Sequence, residues 1–147
     1  MSPHHLRRTQ RPNGRPLTLI VLDTNVVSYI FNNDSRARFY TEHLQGQRAF
    51  ISFQTLEEIW NGAYRDSWGS RRKDDLTEYL EQYEVIWPDP DLVDSCARLR
   101  SERRAVGREL GIADAWIAAT ALMLNCPLAT ADRDFINIPG LRLIQAA

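Results

Sequence analysis

The chain has 147 residues, 44% of them hydrophobic, with four Trp, five Tyr and five Phe, which is enough apolar material for one substantial core and excludes a disordered or fibrous protein. Formal net charge is −1, but residues 1 to 18 carry Arg7, Arg8, Arg11 and Arg15 and no acid, leaving 14 basic against 19 acidic residues in the rest. Two cysteines outside any CxxC pair imply no disulfide framework, and no apolar run approaches the roughly 18 residues a membrane span needs, so a cytoplasmic protein without membrane contact is expected.

Residues 1–16 hold three Pro, one Gly and no periodicity, which predicts a flexible basic tail; residues 17–147 read as a single domain. "LTLIVL" is the continuous β-branched run of a strand buried on both faces. Thr24 is placed to cap a helix over "NVVSYIF", "NNDS" breaks it, and Arg36 to Leu44 predicts a second helix. "RAFIS" is a second strand, followed by a long helix from Ser52 or Thr55 through Trp68 and another over "RRKDDLTEYLEQY". "EVIW", stopped by Pro88 and Pro90, is a third strand.

Asp91 to Val106 predicts a helix with Leu92, Cys96 and Leu99 on one side and many arginines on the other. "GIADAWIAATALMLN" is apolar almost all round, as a buried helix is. "CPLATAD" and "LRLIQ" close the chain as short strands. Strands alternating with helices predict an α/β three-layer sandwich, with a central, mainly parallel sheet of four to five strands flanked by helices.

In such a sheet, ligands bind beyond the carboxyl ends of the strands. Acids stand there repeatedly. Asp23 ends the first strand, Glu57 and Glu58 follow the second, Asp114 opens the buried helix, and Asp132 follows "PLAT". No basic residue immediately flanks Asp23, Glu58 or Asp114. A cluster of carboxylates without His or Cys suits a hard cation, Mg²⁺ or Mn²⁺. Each acid also has a plainer use: Asp23 and Asp114 as helix caps, Glu57 and Glu58 as solvated helix residues, Asp132 and Asp134 as parts of a polar turn. Jointly, those plainer uses leave unexplained why acids recur at one end of the sheet. GxxxxGK[ST], GxGxxG and GxSxG motifs are all absent, and Asn25 stands where a DxD phosphatase needs its second Asp.

Residues of about 18 to 145 resemble the PIN domain, and within it the VapC-type ribonuclease toxins of bacterial toxin–antitoxin pairs. "LDTNVV" resembles the opening motif, with Asp23 as its acid. "ISFQTLEEIWNG" is similar to the family's T-x-x-E-[LI]-x-x-G pattern, which selects Glu58 over Glu57 because Gly62 follows by four. "GIADAWIAATAL" supplies Asp114 and "LATADRDF…IPGLRLI" supplies Asp132.

The resemblance implies an endoribonuclease that depends on Mg²⁺ or Mn²⁺ and cleaves RNA phosphodiester bonds, with Asp23, Glu58, Asp114 and Asp132 as catalytic acids. Asp23 and Asp114 are then direct metal ligands, and Glu58 and Asp132 complete the cluster directly or through water. Thr24, Asn25 and Thr130 are secondary candidates for ordering these acids. The resemblance further implies an RNA substrate, inhibition by a cognate antitoxin, and a homodimer. Arg98, Arg103, Arg104 and Arg108, just ahead of Asp114, are placed to track a phosphate backbone; Trp60 and Trp116 are more readily explained by packing than by base stacking. The rival reading is a catalytically silent PIN module that binds RNA or protein.

Overall fold

A computed structural model describes residues 18–147; the expected tail over residues 1–16 lies outside the described residues. The elements are β1 (Leu19–Leu22), α1 (Thr24–Phe31), α2 (Ala37–Leu44), β2 (Arg48–Ser52), α3 (Phe53–Arg65), α4 (Ser70–Leu80), β3 (Glu84–Ile86), α5 (Pro90–Ala105), α6 (Ile112–Leu124), β4 (Leu128–Ala129), a 3-10 turn (Arg133–Phe135) and β5 (Leu143–Ile144). The five strands form one sheet in the order β3-β2-β1-β4-β5, and every pairing is parallel. The expected three-layer α/β architecture is therefore present.

Side chains of a strand point alternately to the two faces of a sheet. Val21, Phe50, Ile86 and Leu128 pack on one face with Leu92, Cys96 and Leu99 of α5 and with α6. Ile20, Leu22, Ile51 and Ala129 pack on the other face with residues of α1 to α4, among them Val26, Tyr40, Ile59 and Leu76. Ala115, Ala118, Ala119 and Ala121 of α6 are fully buried. These small side chains bring that helix close to the sheet, and Asn125, at φ 50°, ends it in the left-handed conformation.

Several boundaries differ from the sequence reading for local reasons. Asp23, not Thr24, caps α1: its carboxylate accepts from the Thr24 amide. Helix α3 stops at Arg65, short of Trp68, because Ser67 turns to φ 56°. Ser52 caps α3 by accepting from the Gln54 amide at 3.1 Å. Among the described residues, no helix is long and apolar enough to cross a membrane.

Candidate active site

The order β3-β2-β1-β4-β5 places a topological switch point between β1 and β4: the chain runs outward through β2 and β3, then returns to β4 and β5 on the other side of β1. Side chains at the carboxyl ends of these two strands face the crevice that such a switch opens. Asp23 follows β1, and Thr130 follows β4.

Asp23 is 5% exposed and tightly held. One carboxylate oxygen accepts from the Thr24 amide at 2.8 Å. The other accepts from the Thr130 hydroxyl at 2.6 Å and from the Asn25 side-chain amide at 3.3 Å. Asn25 also accepts from the Ala131 amide at 3.2 Å, and Thr130 accepts from the Asp132 amide at 3.0 Å. Asp23, Thr24, Asn25 and Thr130 thus lock the end of β1 to the segment after β4. Burial pushes the Asp23 carboxyl above its usual range, opposed by the Thr130 and Thr24 hydrogen bonds and reinforced by the charges of Glu58 and Asp132.

Glu58 reaches the site from α3. Thr55 and Glu58 are three apart, hence on one helical face, while Glu57 is turned out to solvent. Thr24 donates to Glu58 at 2.9 Å, and its oxygen lies 3.1 Å from the Thr55 hydroxyl. Thr24 has a single proton, spent on the carboxylate, so Thr55 is the donor of the second bond. Burial raises the Glu58 pKa, the Thr24 hydrogen bond opposes this, and the Asp114 and Glu57 charges add to it.

Asp114 lies in the first turn of α6. Its carboxyl is pushed up to about 6, first by burial and then by the charges of Asp132, Asp23 and Asp134. Carboxylate oxygens of Asp114, Asp132 and Asp134 all lie within 4.8 Å of one another. Asp134 is the member that sequence reasoning left in a polar turn. The turn exists, because Asp132 caps it by accepting from the Asp134 amide at 2.9 Å. Its geometry also brings the second acid into the cluster, and the Asp-x-Asp spacing after a strand was the available signal. Repelling carboxylates with oxygen donors only, and no His or Cys among them, fit a hard divalent cation.

The profile described as PIN domain matches residues 20–141. The chain belongs to the PIN-domain family. The ribonuclease VapC1 of Haemophilus influenzae is 27% identical to this PIN domain over 127 residues, covering 84% of this chain and 95% of its own. The ribonuclease VapC5 of Mycobacterium tuberculosis is 31% identical over 127 residues, covering 85% of this chain and 91% of its own. In a crystal structure of VapBC2 from Rickettsia felis bound to a fragment of promoter DNA, one chain superposes with a TM-score of 0.77 at 25% identity, covering 87% of this chain and 98% of that one.

The arginines of the PIN domain do not form one surface. Arg98 pairs with Asp94 at 2.9 Å on the exposed side of α5, and Arg104 lies 3.7 Å from Glu109. Arg108 is exposed at a pocket beside Asp114. Arg103 departs from the expected solvent-facing set: it is 6% exposed and donates to the Asn137 carbonyl at 3.2 Å. Trp116 packs edge-on against Phe53 at 5.2 Å and Trp60 lies 6.1 Å from Tyr64.

Proposed function

We propose that this PIN domain is an endoribonuclease dependent on Mg²⁺ or Mn²⁺, the toxin of a toxin–antitoxin pair, acting on RNA in the cytoplasm as a homodimer and held inactive by a cognate antitoxin. The observation that carries the reading is the cluster of Asp114, Asp132 and Asp134 beside Asp23 and Glu58 at the switch point. The VapC names of the relatives and the VapBC composition of the similar crystal structures support the toxin assignment.

Asp114, Asp132 and Asp134 are the residues that would hold a divalent cation, with Asp23 at their side. When bound, such a cation supplies Lewis-acid stabilisation of phosphate charge and lowers the pKa of water. The chain's own part is positioning and proton handling. Thr130, Asn25 and the Thr24 amide fix Asp23, so its carboxylate does not have to reorganise. Thr24 and Gln54 orient the Glu58 carboxylate by hydrogen bonds, and its raised pKa suits it to take a proton from an attacking water. The water oxygen then bonds to phosphorus as the bond to the leaving oxygen breaks; the leaving oxygen takes a proton from solvent, and Glu58 returns to solvent the proton it accepted.

A second groove supports the antitoxin half of the reading. It is an open cleft of about 380 Å³ between α1 and α3, floored by Val27, Phe31 and Trp68 and leading to Glu58. Its lining mixes these apolar side chains with Ser28, Asn32, Asn61 and Arg65, which suits a peptide segment that offers both apolar anchors and polar contacts.

Incubation of cellular RNA with the purified protein and Mn²⁺ or Mg²⁺ tests the reading. Defined cleavage ends are expected, abolished by EDTA and by Asp114→Asn. Undiminished cleavage by that variant would sink the assignment, and RNA binding without turnover under either metal would establish the silent module instead.

A further inference from the structure

Beside the acid cluster, between the end of α5 and the 3-10 turn, lies an open pocket of about 450 Å³. Its lining includes Arg103, Arg108 and Arg133 and, against them, Glu109, Asp114 and Asp134. Arg103 is the unusual member. Its guanidinium is always charged and carries five N–H donors. Here it is buried, and among the described residues its Nε has no hydrogen-bond partner and its one acceptor is the carbonyl of Asn137. Among the described residues no carboxylate forms an ion pair with it. A buried cation without a directly paired anion is costly, so the Arg103 guanidinium keeps unused capacity for one.

Two neighbours point the same way. Gly111, the N-cap of α6, also lines the pocket and provides no side-chain cap, which leaves amide donors and the positive end of the helix dipole facing it. Arg108 and Arg133 are exposed at its mouth. The three lining acids balance the three arginines in charge. Arg104, outside the pocket, lies close to Glu109, and a divalent cation on Asp114 and Asp134 would tip the balance to positive.

We propose that this pocket is a phosphate subsite: Arg103 at its floor, with Arg108 and Arg133 at its mouth, takes the RNA backbone phosphate next to the one that is cut. The proposal rests on the ribonuclease reading and adds to it the register of the strand. A guanidinium fork matches two oxygens of a phosphate, and the subsite adjoins the acid cluster through Asp114 and Asp134, which belong to both. The substrate therefore enters as a single strand whose consecutive phosphates meet the acid cluster and the arginine pocket in turn.

Equilibrium binding of a short fluorescein-labelled single-stranded RNA, measured over a salt series with Ca²⁺ in place of the catalytic metal and with intact RNA verified on gels, tests the proposal. Each lost phosphate contact removes about 0.7 from the slope of log K against log salt. Arg103→Met and Arg108→Ala are each expected to lower the slope by that amount, and Arg103→Lys, which keeps the charge, to retain it. An unchanged slope in Arg103→Met despite weaker binding overturns the subsite and makes Arg103 a structural strut for the Asn137 loop. If Arg103→Met does not fold, Arg108→Ala and Arg133→Ala, both at exposed positions, decide by the same readout. Unchanged RNA slopes with weakened antitoxin binding would make the pocket a protein site and equally sink the proposal. Failure of the wild type to cleave any RNA overturns the ribonuclease reading itself, whereas cleavage with unchanged slopes overturns only the subsite.

Discussion

Asp23 and Asp114 face the same crevice and are held in opposite ways. Asp23 caps α1, and three donors, the Thr24 amide, the Thr130 hydroxyl and the Asn25 side chain, occupy its carboxylate. Among the described residues no hydrogen-bond donor reaches the Asp114 carboxylate, which faces the charges of Asp132, Asp23 and Asp134. Asp23 is tied into the fold; Asp114 is tolerated by it. Burial raises both carboxyls, but donors around Asp23 offset part of that cost and none does so at Asp114, so a cation should relieve Asp114 the more.

The sharpest way to break this comparison is to remove each acid. Asp114→Asn is expected to lower RNA cleavage by at least ~100-fold, the upper range for perturbing a metal site, while raising the melting temperature of the metal-free protein. Asp23→Ala is expected to abolish cleavage to a similar degree but to lower stability by about 2 kcal/mol, since it removes a cap and leaves the Thr130 and Thr24 donors unpaired. Denaturant unfolding of the two metal-free variants side by side checks the contrast; parallel destabilisation would erase it.

A smaller effect should come from Thr130→Val, which removes both the donor to Asp23 and the acceptor for the Asp132 amide. About 1–2 kcal/mol of stability and ~10-fold in cleavage are expected to go. The loss of activity is then an effect on positioning, visible as weaker Mn²⁺ binding in calorimetry.

The effect of pH has the same sign at both acids and is followed most directly at Asp114. The Asp114 carboxyl is raised in the folded state to about 6 from an ordinary 3.8. Its contribution to stability is therefore fully present below the ordinary value and is lost as pH rises through about 6. Metal-free wild type should lose stability relative to Asp114→Asn between about pH 4 and pH 7. Over the same range cation affinity should climb, because the ligand must shed its proton to bind. Melting curves with and without Mn²⁺ at several pH values check both signs.

Much of the architecture was readable because it rests on local patterns. "LTLIVL" is apolar at every position except Thr18, and in the structure its residues do alternate between two cores, Val21 on one side and Ile20 and Leu22 on the other. What escaped depends on distant pairing or on carrying a periodicity one step further. Arg103 belongs by sequence to the arginines expected to track a phosphate backbone, yet Leu92, Cys96 and Leu99 continue at helical spacing to position 103, which is buried with them. The Thr130–Asp23 bond links residues 107 positions apart and follows from the strand order, which no local window contains. Thr24 looked like a cap, but the preceding Asp has the extended backbone that a cap needs, at ψ 158°.

The place of β1 at the middle of the sheet has a consequence for synthesis on the ribosome. One of its neighbours, β2, follows soon after, but the other is β4, where Val21 pairs with Leu128. A nascent chain that has just completed α6 owns Asp23, Glu58 and Asp114 and still lacks the strand that brings Thr130, Asp132 and Asp134 to them. The acid site therefore closes only once the segment after α6 has been made, so the ribosome that makes this chain works beside an unassembled site while the first six helices emerge.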